Sequence, residues 1–198
     1  MISAVVLAAG MSARMGRLKQ LLPYGDHTVI EQVIATLCAA PVDEIVVVTG
    51  YQRARVEGAL AGWPVRTVFN PSYSAGEMLS SVQVGLRSVA TDSRAALLVL
   101  GDMPALESQV TRQLVEAYRA TGDGAVYIPS YQMRAGHPVL VPRPYWDAIL
   151  RLPPGASIRS VLRAPETPVV WVEVSTPTVL RDMDTPEDYQ RELDHLGS

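Results

Sequence analysis

The sequence predicts a three-layer α/β fold, in which a mostly parallel, Rossmann-like sheet carries helices on both faces. Short apolar runs rich in valine alternate along the chain with longer segments whose apolar residues recur at helical spacing. The short runs are apolar at nearly every position, which is typical of strands buried on both faces of a parallel sheet. The chain has 198 residues, so we expect residues 1–198 to form a single domain.

The predicted elements follow one another in the order strand, helix, strand through the first two thirds of the chain. The predicted strands cover residues 4–8, 44–50, 65–70, 95–101 and 124–129, and the predicted helices cover residues 28–40, 52–62, 78–89 and 106–118. In such sheets ligands bind beyond the carboxyl ends of the strands. We therefore expect the functional residues in the segments that directly follow strands, at 10–19, 70–81 and 101–104.

The remainder of the chain has a looser pattern. Residues 129–181 are rich in proline and mix short strand-like and helix-like segments, so we interpret them as a flap or smaller lobe over the strand ends. Residues 182–198 end in a helix that starts near Pro186, with Thr185 as its N-cap. Residues 1–128 would then form the ligand-binding part of the domain.

Composition excludes several classes of protein. The formal net charge is −3, which does not suggest a nucleic-acid or membrane-surface partner. No apolar run approaches the ~20 residues of a membrane helix, and the N-terminus lacks the basic region of a signal peptide. We expect a cytoplasmic protein. The single cysteine, Cys38, excludes a disulfide within the chain and is expected in the core.

The segment LAAGMSARMGRLKQLLPYG, residues 7–25, has the ingredients of a phosphate-binding loop. It is neither a Rossmann G-x-G-x-x-G nor a Walker A loop, because five residues separate Gly10 from Gly16 and Lys19 follows Gly16 by three. The small residues up to Gly10 let backbone amides approach a ligand closely. Arg14 can bind phosphate oxygens with its planar fork, and Lys19 can bind them as a point charge.

This segment resembles the signature L-A-[AG]-G-x-S-x-R-M-G-x-x-K-x-L-[LP] of the molybdenum-cofactor type of nucleotidyltransferase. Further segments resemble motifs of the same family: NPSYSAGEMLSSVQVGL, LVLGDMP, MRAGHPVLV and DMDTPEDY. The resemblance covers nearly the whole chain. It implies the fold of the nucleotide-diphospho-sugar transferases and an enzyme that uses Mg²⁺, with Mn²⁺ as the alternative.

The resemblance also implies roles for individual residues. The nucleotide would be bound by Leu7, Ala8, Ala9, Gly10, Ser12, Arg14, Lys19, Ser80, Ser81 and Gly101, with Gly101 beneath the ribose. Arg14, Lys19 and Asp102 would be catalytic, with Arg14 and Lys19 on the β- and γ-phosphates and Lys19 also stabilising charge at the α-phosphorus. Asp102 and Asp184 would hold the metal, a usual arrangement for Mg²⁺ with phosphates and water; Asp182 is the alternative to Asp184.

Arg134, His137 and Arg159 would face the acceptor. The segment PPGASIRSVL, residues 153–162, departs from the family's G-D-x-G-A-R, because the acid is absent and the arginine is displaced. This region helps to define the acceptor, so the sequence leaves the acceptor open.

The activity that the resemblance implies is transfer of CMP from CTP to a phosphorylated acceptor of the molybdopterin type, with release of pyrophosphate. A molybdoenzyme or its chaperone would then receive the product. Ala9 favours CTP, because the guanylyl branch of the family usually has LAGG where this chain has LAAG. The alternatives are a guanylyltransferase or another NTP:phosphate nucleotidyltransferase, a nucleotide-binding oxidoreductase, which the missing Gly-x-Gly disfavours, and a non-catalytic nucleotide sensor.

Overall fold

Most of the strands form one sheet, and the N-terminal strand lies in its interior. A computed structural model describes residues 1–75 and 78–196. Its strands are β1 Ile2–Ala8, β2 Pro23–Tyr24, β3 His27–Thr28, β4 Glu44–Thr49, β5 Arg66–Phe69, β6 Ala95–Leu100, β7 Val126–Tyr131, β8 Arg134–Ala135, β9 Val139–Pro142 and β10 Val169–Glu173. Its helices are α1 Val29–Cys38, α2 Arg53–Ala59, α3 Met78–Ser88, α4 Ser108–Thr121, α5 Trp146–Leu150, α6 Arg159–Leu162 and α7 Pro186–Leu196.

The strand order confirms the predicted mostly parallel, Rossmann-like sheet. The order is β10-β7-β9-β6-β1-β4-β5, with β8 paired to β7 and a separate β2–β3 hairpin. β1 pairs in parallel with β4 and β6, β4 with β5, and β7 with β10, whereas β9 is antiparallel to β6 and β7. β4 and β6 lie on opposite sides of β1, so the order in which the chain adds strands reverses at β1. This reversal opens a crevice beyond the carboxyl end of β1.

Alternating residues of the strands divide the core into two halves. Ala4, Val6 and Ala8 of β1 pack with apolar residues of α1, α2 and α4, while Val5 of β1 packs on the opposite face with apolar residues of α3, α5 and α6. All four of these β1 residues are completely buried. The period-two alternation of a strand buried on both faces thus produces the three predicted layers.

Helix α3 lies unusually close to the sheet. A Cβ atom built on Gly85 would come within 3.0 Å of the Val5 side chain of β1. Glycine at this position therefore sets the distance between α3 and the sheet, and with it the position of the helix start near the crevice.

The amino edge of the sheet is tied together by one carboxylate. Glu44, the first residue of β4, accepts hydrogen bonds from Ser3 Oγ at 2.7 Å, from Arg66 Nη2 at 2.8 Å and from the Ala90 amide at 2.9 Å. Burial would raise the pKa of Glu44, but these hydrogen bonds outweigh it and lower that pKa. This network lies at the opposite end of the strands from the crevice.

Residues 129–181 contribute to the main sheet. They supply β9, which inserts between β6 and β7, and β10, which forms the edge. The same segment supplies α5 and α6, which pack on the face that also carries α3. The division of the chain at residues 128 and 181 stays a prediction.

Two further expectations have definite outcomes. Cys38 is exposed rather than in the core, because it is the last residue of α1 and the helix ends beyond the apolar stripe of Ile30, Val33, Ile34 and Leu37. The N-cap Thr185 is confirmed: its hydroxyl accepts the Asp188 amide at 3.2 Å, and the Asp188 carboxylate accepts the Thr185 amide at 2.8 Å. Within residues 1–75 and 78–196, no helix has the length and apolar character needed to cross a membrane.

Candidate active site

The loop after β1 is closed around the side chain of Ser12. The Ser12 hydroxyl accepts a hydrogen bond from the Lys19 amide at 3.2 Å and donates one to Gln20 Oε1 at 3.3 Å. Ser12 itself has a left-handed backbone with φ of 53°, and Gly16 follows with φ of 65°. The predicted nucleotide-binding Ser12 therefore has a structural role in shaping the loop, since its hydroxyl already holds the two ends of the turn together.

Three distant parts of the chain meet at the Lys19 ammonium group. Lys19 Nζ contacts Oδ2 of Asp102, just after β6, and lies 3.1 Å from Oδ1 of Asp184, just before α7. Arg14 Nη2 lies 2.7 Å from the other oxygen of Asp184. The amide of Met183 donates to the Asp102 carbonyl at 3.1 Å, which joins the C-terminal segment to the end of β6. The predicted catalytic and metal-binding residues are thus brought together.

Burial and neighbouring charges shift the pKa values of Lys19, Asp102 and Asp184 in opposite directions. Burial would lower the pKa of Lys19, but the carboxylates of Asp102 and Asp184 outweigh it and raise that pKa. Burial raises the pKa of Asp102, although Lys19 opposes the change. Burial would likewise raise the pKa of Asp184, but Lys19 and Arg14 lower it. Lys19 therefore keeps its charge at neutral pH, and Asp184 stays ionised.

The carboxylates of Asp102 and Asp184 fit a divalent cation. Both already contact one cationic group, the Lys19 ammonium. Asp102 Oδ1 is buried and has no hydrogen-bond partner within the described chain, so one oxygen of this pair is available to a ligand. No cluster of three or more His, Cys, Asp or Glu residues suited to a metal is found among residues 1–75 and 78–196. Two carboxylates with substrate phosphates and water are what Mg²⁺ usually takes.

A cavity of about 440 Å³ lies over this group, at the carboxyl ends of β1 and β6. It is lined by Leu7, Ala9, Gly10, Met11, Ser12, Ala13, Arg14, Lys19, Gln20, Tyr73, Met78, Ser81, Leu100, Asp102, Asp182 and Asp184. The three segments expected to follow strands, at 10–19, 70–81 and 101–104, all contribute to it. The three segments that were expected beyond strand ends are therefore brought together around one cavity, and its use as a binding site stays a prediction.

Three predicted nucleotide-binding residues lie outside this lining. Ala8 is completely buried in the core. Ser80 accepts a hydrogen bond from Asn70 at 2.9 Å. Gly101 donates its amide to the Leu7 carbonyl, and a Cβ atom at Gly101 would come 2.8 Å from that oxygen. Close packing of the strand ends is therefore sufficient to require glycine at position 101, whether or not a ribose lies above it.

Several residues of the site were missed by reasoning from the sequence. Gln20, Tyr73 and Met78 line the cavity, and buried Asn70 donates to the hydroxyls of Ser80 at 2.9 Å and Ser81 at 3.0 Å. Asn70 is the last residue of the predicted strand 65–70 and opens the Asn-Pro motif, so its segment was expected at the site, but no role was assigned to its side chain. The others have common side chains in segments already assigned to the site, and only the fold shows which of them face the cavity. Gly76 and Glu77 of the same motif lie outside the described residues.

A second cavity of about 430 Å³ adjoins the first and shares Met78 with it. It is lined by Met78, Leu79, Ile128, Ala135, Gly136, His137, Val139, Gly155, Ala156, Ser157, Ile158, Arg159, Leu162 and Arg163. Among the described residues, its lining includes basic and apolar side chains but no Asp or Glu. This cavity is therefore suited to an anionic ligand with an apolar part.

Two of the three predicted acceptor residues lie in this second cavity. His137 and Arg159 line it, whereas Arg134 is exposed on β8 and is not part of either lining. His137 Nδ1 is buried and, within the described residues, has no hydrogen-bond partner. Burial lowers the pKa of His137, Asp182 raises it and Arg159 lowers it, and the net change is a lower pKa. The imidazole is therefore neutral at pH 7 and can accept or donate a hydrogen bond.

Comparison with known sequences finds a family and relatives that match most of this chain. The model of the MobA-like NTP transferase domain matches residues 4–169. The molybdenum cofactor cytidylyltransferase of Escherichia coli is 29% identical over 192 residues, which cover 95% of this chain and 93% of that protein. The nicotine blue oxidoreductase of Paenarthrobacter nicotinovorans is 29% identical over 201 residues, which cover 97% of this chain and 96% of that protein.

Comparison with solved structures finds chains that share this fold over nearly their whole length. A nucleotidyl transferase from Methanothermobacter superposes with a TM-score of 0.84 at 31% identity, over 98% of this chain and 97% of that one. A manganese complex of Rv0371c from Mycobacterium tuberculosis superposes with a TM-score of 0.79 at 28% identity, over 98% of both chains.

Proposed function

This chain belongs to the family of MobA-like NTP transferase domains, and we propose that it transfers the CMP group of CTP to a phosphorylated acceptor of the molybdopterin type. Pyrophosphate would be the second product. The observation that carries the proposal is the meeting of Lys19, Asp102 and Asp184 over the carboxyl ends of β1 and β6, beside a cavity large enough for a nucleotide. Arg14 adds a second cation at the mouth of this cavity.

The reaction requires charged side chains that are correctly positioned around the phosphates, and it does not require a nucleophilic side chain. An oxygen of the acceptor phosphate attacks the α-phosphorus of CTP, and the bond between that phosphorus and the oxygen bridging to the β-phosphate breaks in line with the attack. Lys19 is held rigidly between two carboxylates and would stabilise the negative charge that develops on the phosphate oxygens. Arg14 is 70% exposed and would bind the outer phosphates with its fork. A divalent cation, Mg²⁺ or Mn²⁺, held by Asp102 and Asp184, would neutralise part of the charge of the triphosphate.

Two facts support CTP as the donor. Ala9 lines the first cavity at the place where the guanylyl branch usually has a glycine. In place of that glycine, the methyl group of Ala9 would narrow the space for the base, which would favour a pyrimidine over the larger purine. The E. coli relative, similar over 95% of the chain, is named as a cytidylyltransferase.

The second cavity is the proposed acceptor site. Its cationic residues Arg159 and Arg163 suit a phosphate, to which the neutral His137 can donate a hydrogen bond, and its apolar residues suit a flat ring system. Met78 belongs to both linings, so ligands in the two cavities would be in contact beside it. This arrangement would bring an acceptor phosphate next to the nucleotide, as the transfer requires. Arg134 is exposed and belongs to neither lining, so it would act only if the ligand extends beyond the cavity.

An oxidoreductase is the second candidate, because one relative carries that name at the same identity. The loop after β1 lacks the Gly-x-Gly turn that brings a dinucleotide pyrophosphate close to a helix N-terminus. The contact of Lys19 with Asp102 and Asp184 has no use in hydride transfer, whereas nucleotidyl transfer uses all three groups. Oxidation of NADH or NADPH in the presence of the protein would favour this second candidate.

A pyrophosphate-release assay tests the proposal. CTP, GTP, ATP and UTP are each combined with Mg²⁺ or Mn²⁺ and with phosphorylated acceptors, molybdopterin first. We expect release with CTP that depends on the acceptor. Release with GTP alone would support nucleotidyl transfer but would contradict the assignment of CTP as the donor. Absence of release with every nucleotide and acceptor, together with turnover of NADH or NADPH, would reject the transferase.

A further inference from the structure

We propose that the buried ion pair between Arg181 and Glu192 is a positioning device, which holds Asp184 where it meets Lys19 and the metal. The inference deepens the proposed function and rests on it. Arg181 lies just before the segment that carries Asp182 and Asp184, and Glu192 lies on the inner face of α7. Neither residue contacts the proposed substrates, so they would act through Asp184 alone.

Two hydrogen bonds join the guanidinium of Arg181 to the carboxylate of Glu192 and restrict how the two groups can move. Arg181 Nε lies 2.7 Å from Glu192 Oε1, and Arg181 Nη2 lies 2.7 Å from Glu192 Oε2. The side chain of Glu192 is only 6% exposed, and that of Arg181 is 22% exposed. Two parallel hydrogen bonds between a guanidinium and a carboxylate fix orientation as well as distance. The two ends of residues 181–192 are therefore locked together.

The segment between the two partners is held at three further points. The side chain of Met183 is completely buried with Met15, Leu22, Tyr24 and Val29. The Met183 amide donates to the Asp102 carbonyl. The carboxylate of Asp188, in the first turn of α7, accepts the Asp184 amide at 3.0 Å. Asp184 thus lies on a short stretch whose position depends on how α7 is docked. Tyr189 and Leu193 pack against the same apolar cluster, and the ion pair adds the directional contact to this docking.

A gain in folding stability is a weak explanation for the buried ion pair between Arg181 and Glu192. A buried ion pair loses the hydration of both charges, and its replacement by two apolar residues is often neutral or stabilising. Its orientation, by contrast, cannot be reproduced by apolar contacts, which are not directional. The position of the pair, at the base of the segment that carries the proposed metal ligand, connects this directional restraint to the site.

The test is a double variant, Arg181→Met with Glu192→Leu, which removes both charges and leaves no single buried charge behind. Mn²⁺ alone is titrated into the whole protein, and free Mn²⁺ is followed by electron paramagnetic resonance, so the readout needs no turnover. We expect the thermal midpoint to stay near that of the wild type and the Mn²⁺ affinity to fall about tenfold, as is typical for residues that orient metal ligands. Arg181→Lys, which keeps the charge but loses the fork, should give an intermediate affinity.

The matched control is Arg66→Met with Glu44→Gln, an ion pair at the amino edge of the sheet, which should keep the wild-type Mn²⁺ affinity. Asp184→Asn should weaken Mn²⁺ binding directly. Wild-type affinity in the Arg181→Met, Glu192→Leu variant, with weakened affinity in Asp184→Asn, would overturn the positioning role. Lack of Mn²⁺ binding by the wild type would overturn it as well. Failure of the proposed function shows itself separately, as lack of pyrophosphate release by a wild-type protein that binds Mn²⁺.

Discussion

Replacement of Lys19 by Met tests the centre of the site. The Lys19 side chain is 12% exposed, and its ammonium contacts Asp102, which is 14% exposed, and Asp184, which is 34% exposed. Methionine fills a similar volume but carries no charge. The variant therefore removes the shared cation and leaves Asp102 without its partner, while Asp184 keeps its contact with Arg14.

The expected losses in kcat and in the free energy of unfolding follow from these contacts. A preorganised group that stabilises charge in the transition state contributes about 100-fold to 1,000-fold in kcat, so we expect a loss of that order in Lys19→Met. Removal of one partner of a buried pair typically costs about 3–5 kcal/mol. Because burial raises the pKa of Asp102, this carboxyl can take up a proton once Lys19 is absent, and we expect a loss of only about 1–3 kcal/mol in the free energy of unfolding.

Arg14→Met is the matched control, because Arg14 binds the same carboxylate of Asp184 but is 70% exposed. An exposed ion pair contributes at most about 1 kcal/mol, so we expect almost wild-type stability and a higher KM for the nucleotide. Pyrophosphate release and urea unfolding measure the two variants. The reasoning is refuted if Lys19→Met has the same kcat as Arg14→Met, or if Arg14→Met is the less stable of the two.

The remaining predictions concern other parts of the molecule. Asp184→Asn should weaken Mn²⁺ binding by about tenfold or more, whereas Asp182→Asn should change it less; an equal loss in a Mn²⁺ titration would make Asp182 a metal ligand too. Gly85→Ala should lower the free energy of unfolding by about 1–3 kcal/mol, because the new methyl group meets Val5; urea unfolding at wild-type stability would show that α3 can shift without cost. The folded-state pKa of Glu44 is lowered by its hydrogen bonds, so its contribution is present above the unfolded pKa of about 4.3 and is lost as the pH falls through the folded pKa. Glu44→Gln should therefore destabilise the protein by about 1–2 kcal/mol at pH 7 and by less in acid; an equal loss at both pH values in thermal unfolding would contradict this.

The fold was largely predictable because its main signal is local. Valine-rich runs such as residues 45–48 are apolar and buried at every position, and the helices between them show their apolar stripe directly. The insertion of β9 between β6 and β7 was not predictable, because the partners of a strand are set by packing across the sheet. Cys38 was misplaced for a related reason: its neighbours show a helical pattern, but the sequence does not show where the apolar stripe ends.

The site was predictable where chemistry limits the choice of residue. Lys19, Asp102 and Asp184 are charged groups at strand ends or in a matched motif, and the structure brings them together although 165 positions separate Lys19 from Asp184. Ser12 lines the first cavity and Gly101 lies outside its lining, and the contacts of both residues shape the loop and the strand ends. Gln20 and Tyr73 were missed, because nothing in a common polar or aromatic residue indicates that it faces a cavity.

The central claim is tested most directly by CTP labelled separately at the α- and γ-phosphates, incubated with the protein, a divalent metal and a molybdopterin acceptor. The account predicts that the α-label appears in a new conjugate with the acceptor and that the γ-label appears in pyrophosphate. Recovery of the γ-label as orthophosphate, or of the α-label as free CMP at the same rate with and without acceptor, would contradict it.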